Sequence, residues 1–302
     1  MDISYKNQVK LLVEILPYIA KEKCFALKGG TAINLFYNNL PRLSVDIDLT
    51  YIGFENRNIA CQNINDAFKR IADSLNIKGY MANIQGNNIE KKIICSNKNA
   101  KIKIEPNYII RGYIEKPEIL EVCENVEDEF GYAEIQVVSK KELYGGKICA
   151  ALDRQHPRDL FDIKELIEKD EIDEELIKGF IAMLLSHDKP LHEIIHPNIK
   201  NQMKVFEKQF QGMTNKNFSY AEHEKTLNNL IGIIKEKILP YKQHLLEFVS
   251  LKGDLSDFKI NNLEKLPAIK WKIKNLQKLQ SVNIEKFEEQ YNQLFKYFEG
   301  IY

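Results

Sequence analysis

Val9, Leu12, Ile15, Leu16 and Ile19 recur every three or four residues, which predicts an amphipathic first helix with Pro17 as a kink point. The short apolar stretch Cys24–Leu27 reads as a strand running into Gly29 and Gly30. Thr31–Asn38 reads as a short helix, and Pro41 breaks the chain before a strand over Leu43–Tyr51. In that strand Val45, Ile47 and Leu49 alternate with Asp46 and Asp48, so the two carboxylates share one face. Helical spacing returns over Asn58–Leu75 through Ile59, Ile64, Phe68 and Ile71. Four β-type segments follow, near 80–85, 91–95, 101–110 and 132–138, with Gly86, Asn87, Asn88 and Asn97, Lys98, Asn99 as turn residues. The pattern predicts a mixed sheet flanked by helices.

Beyond Ser139 the periodicity is almost entirely helical. Ser139-Lys-Lys-Glu142 has the form of a capping box. Helical segments are expected over 140–153, 159–168, 173–186, 201–211, 220–239 and 241–251, with two more after 268, punctuated by Pro190, Pro197, Gly212, Pro240, Gly253 and Pro267. The predicted fold class is therefore α/β followed by an all-helical C-terminal domain, with domains at 1–138 and 139–302 and the first helices of the second completing the site.

Charge adds local information only. The 302 residues carry 43 Lys and Arg against 43 Asp and Glu, so no net field draws the chain to a polyanion. The run 121–129 holds Glu121, Glu124, Glu127, Asp128 and Glu129 and reads as an acidic surface loop, while 265–278 holds five lysines and no acid. Five widely spaced cysteines, with no C-x-x-C pair, predict reduced and mostly buried thiols. Lys6, Lys10, Glu14 and Lys21 interrupt the N-terminus, so it does not read as a signal peptide. No apolar run approaches a membrane span, and a soluble cytoplasmic protein without a membrane partner is expected.

Candidate chemistry begins at Lys28-Gly-Gly-Thr31. Gly29 and Gly30 allow a tight turn and close approach to a ligand, and Thr31 would open a helix whose amides attract phosphate. A phosphate cradle followed by paired carboxylates points to a nucleoside triphosphate held with magnesium, which favours one or two carboxylates plus phosphate oxygens. In Lys101-Ile-Lys-Ile-Glu105 the polar residues share one face, making Glu105 either a third metal-binding carboxylate, serving one or two magnesium ions, or part of a solvated strand face. Lys147 and Arg154 stand two helical turns apart, and Asp159 and Asp162 are spaced i, i+3. With Arg158, these cations can offset a triphosphate as pyrophosphate leaves; an ordinary amphipathic helix with surface ion pairs accounts for the spacing equally well.

Four blocks in one order carry a resemblance: Lys28-Gly29-Gly30-Thr31, then Arg42-x-Ser44-x-Asp46-Ile47-Asp48, then Lys147-x-x-Ala150-x-x-x-Arg154, then Arg158-Asp159-x-x-Asp162. Together they resemble the AbiEii/AbiGii toxin family within the polymerase-β-like nucleotidyltransferase superfamily. The resemblance covers about the first 165 residues; the helical remainder matches only in length and character. It implies a polymerase-β-like mixed sheet with helices, a helical C-terminal domain, and a magnesium-dependent nucleotidyltransferase toxin with a cognate antitoxin. It also implies transfer from an NTP to an RNA acceptor, as in members that modify the 3′ end of tRNA. Carried over by position, Thr31 and the Gly29 and Gly30 amides hold phosphate, with Ser44, Arg154 and Arg158 among the substrate contacts. Asp46 and Asp48 hold metal, Lys147 holds the triphosphate, and Asp159 or Asp162 orients a base or the acceptor.

Other readings remain open. Transfer to a small molecule or to a protein, and a non-catalytic partner-binding role, fit the same motifs. His192-Glu193-Ile-Ile-His196 fits a zinc pattern, but Pro190 and Pro197 bracket it and no third ligand follows, so a short surface segment is expected. Lys265, Lys270, Lys272, Lys274 and Lys278 around Trp271 form either an RNA-contacting face or a plain solvated one.

Overall fold

The computed structural model describes residues 1–87 and 89–300; the predicted turn residue Asn88 lies outside the described residues. The chain divides into two compact units. The first comprises Met1–Ser139 and Phe210–Asn217, the second Lys140–Gln209 and the chain from Phe218 onward.

In the first unit a seven-stranded sheet has the order β3-β4-β5-β2-β1-β7-β6. Its strands are β1 (Phe25–Lys28), β2 (Asp46–Tyr51), β3 (Met81–Gly86), β4 (Lys91–Ser96), β5 (Lys101–Asn107), β6 (Glu118–Glu121) and β7 (Glu134–Val137). The sheet is mixed, as the alternation predicts. β2 runs antiparallel to β1 and parallel to β5, and β1 runs parallel to β7. Helices α1 (Ile3–Ile19) and α3 (Arg57–Ile77) pack on the apolar side. There Phe25 meets the rings of Tyr51 and Phe68, while Ile47, Leu49, Ile102 and Ile104 are buried. α1 runs to Ile19 with Pro17 inside it, and Asn56 caps α3 by accepting from the Ile59 amide. Ile59 itself is half exposed, because Ala60 and Cys61 turn inward in that turn.

One strand of this unit is not foreshadowed in the sequence, and one expectation is corrected. β6 falls in a stretch with no alternation to reveal it, an exposed edge strand paired only with β7. The acidic run is not a loop: Glu121 ends β6, and α4 (Glu124–Phe130) follows, with Val126 buried. Glu124 and Glu127 lie in its first turn, where carboxylates favour the positive end of the helix dipole.

The second unit is helical: α5 (Lys140–Arg154), α6 (Pro157–Glu168), α7 (Glu174–Ser186), α8 (Leu191–Ile195), α9 (Met203–Gln209), α10 (Tyr220–Lys237), α11 (Lys242–Val249), α12 (Pro267–Val282) and α13 (Ile284–Glu299). α5 and α7 touch backbone to backbone. A Cβ on Gly145 would fall 2.3 Å from the Gly179 carbonyl carbon, so only glycine permits this crossing. α5 begins where expected, but Ser139 Oγ is buried without a hydrogen-bond partner, so the predicted capping box is not formed there. A complete capping box occurs instead at Ser219 and Glu222, opening α10.

Lys272 departs from its sequence reading as well. It is buried on α12 and donates to the carbonyl oxygens of His187, Asp188 and Lys189 at 2.9, 3.2 and 2.5 Å, satisfying acceptors left at the end of α7. Burial pushes its ammonium down to about 8. It therefore drops out of the proposed RNA face, while Trp271 and the other four lysines are exposed. Among the described residues, no helix is long and apolar enough to cross a membrane.

Candidate active site

On the polar side of the first unit's sheet, strand register lines up charges. Lys28 on β1 pairs with Asp48 on β2, and Asp48 pairs with Glu105 on β5. One row along, Asp46 pairs with Lys103. Directly paired residues and i, i+2 residues share a face, so Asp46, Asp48, Lys103 and Glu105 form a two-by-two patch with three carboxylates and one ammonium. All four are half-buried, whereas Ile47 and Ile104 between them are fully buried on the opposite side. A cleft of about 300 Å³ opens at this patch, lined by Lys28, Asp48, Glu90, Glu105 and residues 106–109 at the end of β5.

The glycine turn is fitted to the carboxylates. Gly29 has φ +75°, and a Cβ there would lie 2.6 Å from Asp48 Oδ2. Substitution would thus strain the backbone and strike the carboxylate together. Helix α2 (Gly29–Ala32) starts at Gly29, two residues before the expected Thr31, and continues as a π-helical turn over Ile33–Tyr37. Thr31 lies inside that helix. Its Oγ1 donates to the Asp46 carbonyl at 2.5 Å and lies 3.0 Å from Ser44 Oγ, which ties the turn to the start of β2. Behind Gly30 the Arg42 guanidinium is almost fully buried and donates to the Leu43 carbonyl at 2.9 Å. The same loop is pinned from the returning segment: the Leu43 amide donates to the Met213 carbonyl at 2.7 Å, and Thr214 Oγ1 donates to the Pro41 carbonyl at 2.8 Å.

Glu105 is engaged by lysines. Lys103 Nζ lies 2.8 Å from its Oε2, and Lys92 Nζ lies 3.9 Å from its Oε1. Burial works against the Lys103 ammonium, but the Glu105 hydrogen bond and the nearby carboxylates of Asp46, Glu105 and Asp48 raise its proton affinity above that of an ordinary lysine. Sequence reasoning passed over Lys103, although the alternation that singled out Glu105 puts Lys103 on the same face.

Among the described residues, no group of three or more His, Cys, Asp or Glu forms a ready metal cage. The donor set still fits magnesium, which binds through one or two carboxylates and completes its shell with water and phosphate oxygens. Asp46 and Asp48 supply that pair beside a backbone cradle that a side chain would fill.

The second unit carries the other candidates. Lys147 Nζ lies 3.0 Å from both Asp159 Oδ1 and Asp162 Oδ2, and all three side chains are buried. Arg154 grips Asp159 with two bonds, Nε to Oδ2 at 2.5 Å and Nη2 to Oδ1 at 2.9 Å. Burial alone would raise the Asp159 carboxyl, but Lys147 and Arg154 hold it well below the usual carboxylate range. Arg158 sits in the first turn of α6, where its amide is capped by His156 Nδ1. The two histidines of the zinc-like pattern do not share a helix: α8 has only five residues, and His196 lies beyond it at φ −126°, ψ 67°.

The family described as nucleotidyl transferase AbiEii toxin, type IV toxin–antitoxin system, matches residues 10–269. Among solved structures the chain is similar in fold to MenT4, a nucleotidyltransferase toxin from Mycobacterium tuberculosis H37Rv. That match has TM-score 0.55 and 13% identity, covering 83% of this chain and 94% of that one. A fainter likeness is to the cyclic dinucleotide synthase CdnE from Elizabethkingia meningoseptica, with TM-score 0.24 and 14% identity over 89% and 90% of the two chains. No curated protein matches the chain in sequence.

Proposed function

The chain belongs to the AbiEii family of nucleotidyltransferase toxins of type IV toxin–antitoxin systems, and from that premise we propose that it transfers a nucleotide from an NTP to the 3′ end of a tRNA in the cytoplasm, under control of a cognate antitoxin. The observation that carries the reading is the register of β1, β2 and β5. It sets Asp46, Asp48 and Glu105 on one face, with the Gly29 backbone against Asp48.

In this reading Asp46 and Asp48 are the magnesium ligands and Glu105 is the third carboxylate of the same face. When bound, the metal supplies Lewis acidity and neutralises charge at the phosphates. Gly29 and Gly30 let the phosphates approach the backbone, and Thr31 and Ser44 hold the turn at a fixed distance from the carboxylates. The acceptor hydroxyl attacks the α-phosphorus, the α–β anhydride bond breaks, and pyrophosphate leaves. The triphosphate contacts assigned to Lys147, Arg154 and Arg158, and the orienting role of Asp159 or Asp162, are part of the same proposal and rest on their motif.

Incubation of purified protein with each labelled triphosphate, magnesium and total RNA tests it. Label is expected in the gel-resolved tRNA band. Label confined to protein or to a small-molecule fraction would move the acceptor, and no label in any fraction would overturn transfer itself.

A further inference from the structure

Lys103 is the one cation within the two-by-two patch of the carboxylate face. It stands directly opposite Asp46 in the β2–β5 register, and two residues before Glu105 on the same strand. Its ammonium is bonded to Glu105 at 2.8 Å. Three acids on one patch of sheet repel one another, and a cation among them offsets that repulsion. A divalent ion bound by the same acids would do so more strongly, and two cations drawn to one set of oxygens repel each other. Lys103 is also built to leave: its side chain is 37% exposed, and four methylenes allow the head group to swing into water while the stem stays on the sheet.

We propose that Lys103 is a built-in counter-cation of the Asp46, Asp48 and Glu105 face, holding Glu105 in the metal-free protein and competing with the divalent ion, so that metal binding requires Lys103 to release the carboxylate. This rests on reading Asp46, Asp48 and Glu105 as metal ligands. It makes Lys103 a positioning residue that sets how readily the site takes up metal. A half-exposed ion pair is weak, so the competition is modest in size.

The test is a titration with Mn²⁺ alone, followed by loss of its free-ion paramagnetic resonance signal, on the full chain. Lys103→Met is expected to bind Mn²⁺ about three- to tenfold more tightly than the unsubstituted protein. Lys103→Arg, which keeps the charge, is expected to stay within about twofold. Without metal, Lys103→Met is expected to melt at a lower temperature, and Mn²⁺ is expected to raise that temperature by more than it raises the parent's. Lys103→Gln serves as a second neutral variant should the first fail to fold. Unchanged or weaker Mn²⁺ affinity in both neutral variants, with the parent binding normally, would overturn the role of Lys103 alone. Loss of binding in Asp48→Asn anchors the assignment of the ligands. If neither the parent nor the neutral variants bind Mn²⁺, the metal-site reading fails and this inference fails with it.

Discussion

Asp48 and Asp159 are both carboxylates set beside lysines, but Asp48 is half-buried on a sheet face while Asp159 is 1% exposed inside the helical unit. The difference decides what each can do. A buried carboxylate must keep its partners, because losing one leaves a charge in a medium that cannot solvate it. Lys147 and Arg154 both pair with Asp159, and Lys147 pairs with Asp162 as well. On the sheet face, water can cover for a departing partner, so the proposed exchange of the Lys103–Glu105 pair for a soluble cation costs little. The buried cluster ties α6 to α5, and the sheet-face cluster is open to solvent at the cleft.

The sharpest way to break this contrast is to remove one carboxylate of the exchangeable group. Asp48→Ala is expected to lower nucleotidyl transfer by about 10⁴-fold, roughly 5.5 kcal/mol of transition-state stabilisation, while leaving the urea midpoint nearly unchanged. Activity within tenfold of the parent, measured with the labelled triphosphate that the parent uses, would remove Asp48 from the site.

The buried group should respond through stability, whatever it adds to substrate contact. Lys147→Met takes one cation away from two buried carboxylates, Asp159 keeping Arg154, and is expected to cost about 3–5 kcal/mol by urea unfolding. Adding Asp159→Asn and Asp162→Asn to it should restore much of the loss, since the buried charges go with their partner. The same cluster has a pH signature. Asp159 binds a proton less readily folded than unfolded, so its contribution is complete above its ordinary value of 3.8 and is lost as pH falls below it, where the unfolded chain protonates first. Asp159→Asn should therefore lose less stability than the parent between about pH 4 and pH 2. Parallel curves would show that the cluster contributes no pH-dependent stability.

How much of this was legible in the sequence follows from what each signal encodes. Period-two alternation at Val45–Leu49 and Lys101–Glu105 placed the carboxylates on one face because side-chain direction in a strand is a local property. Which strands would lie side by side was not local. The parallel pairing of β2 with β5, which brings Lys103 opposite Asp46, joins segments more than fifty residues apart. β6 gives no signal because an exposed edge strand needs no apolar face, and the acidic helix reads as a loop because seven residues show too little periodicity beside so many charges. Lys272 reads as surface for a related reason: the carbonyls that hold it come from another helix end, so its own neighbourhood looks solvated.

The finest distinction lies between the two hydroxyls that join the glycine turn to β2. Thr31 Oγ1 donates to the Asp46 carbonyl, an oxygen at the root of a ligand-bearing residue, whereas Ser44 Oγ contacts Thr31. Thr31→Val keeps the shape and removes the donor. It is expected to cost about 1–2 kcal/mol in stability, the scale of leaving a partly buried acceptor without its partner, and to lower transfer by about tenfold as Asp46 loses its anchor. Ser44→Ala leaves the Thr31–Asp46 bond in place, so its cost should stay within about 1 kcal/mol and its activity within about threefold of the parent. Urea midpoints and initial rates on the same preparations separate the two. Equal losses in both variants would mean that the hydroxyls serve packing alone and that the turn does not set the position of Asp46.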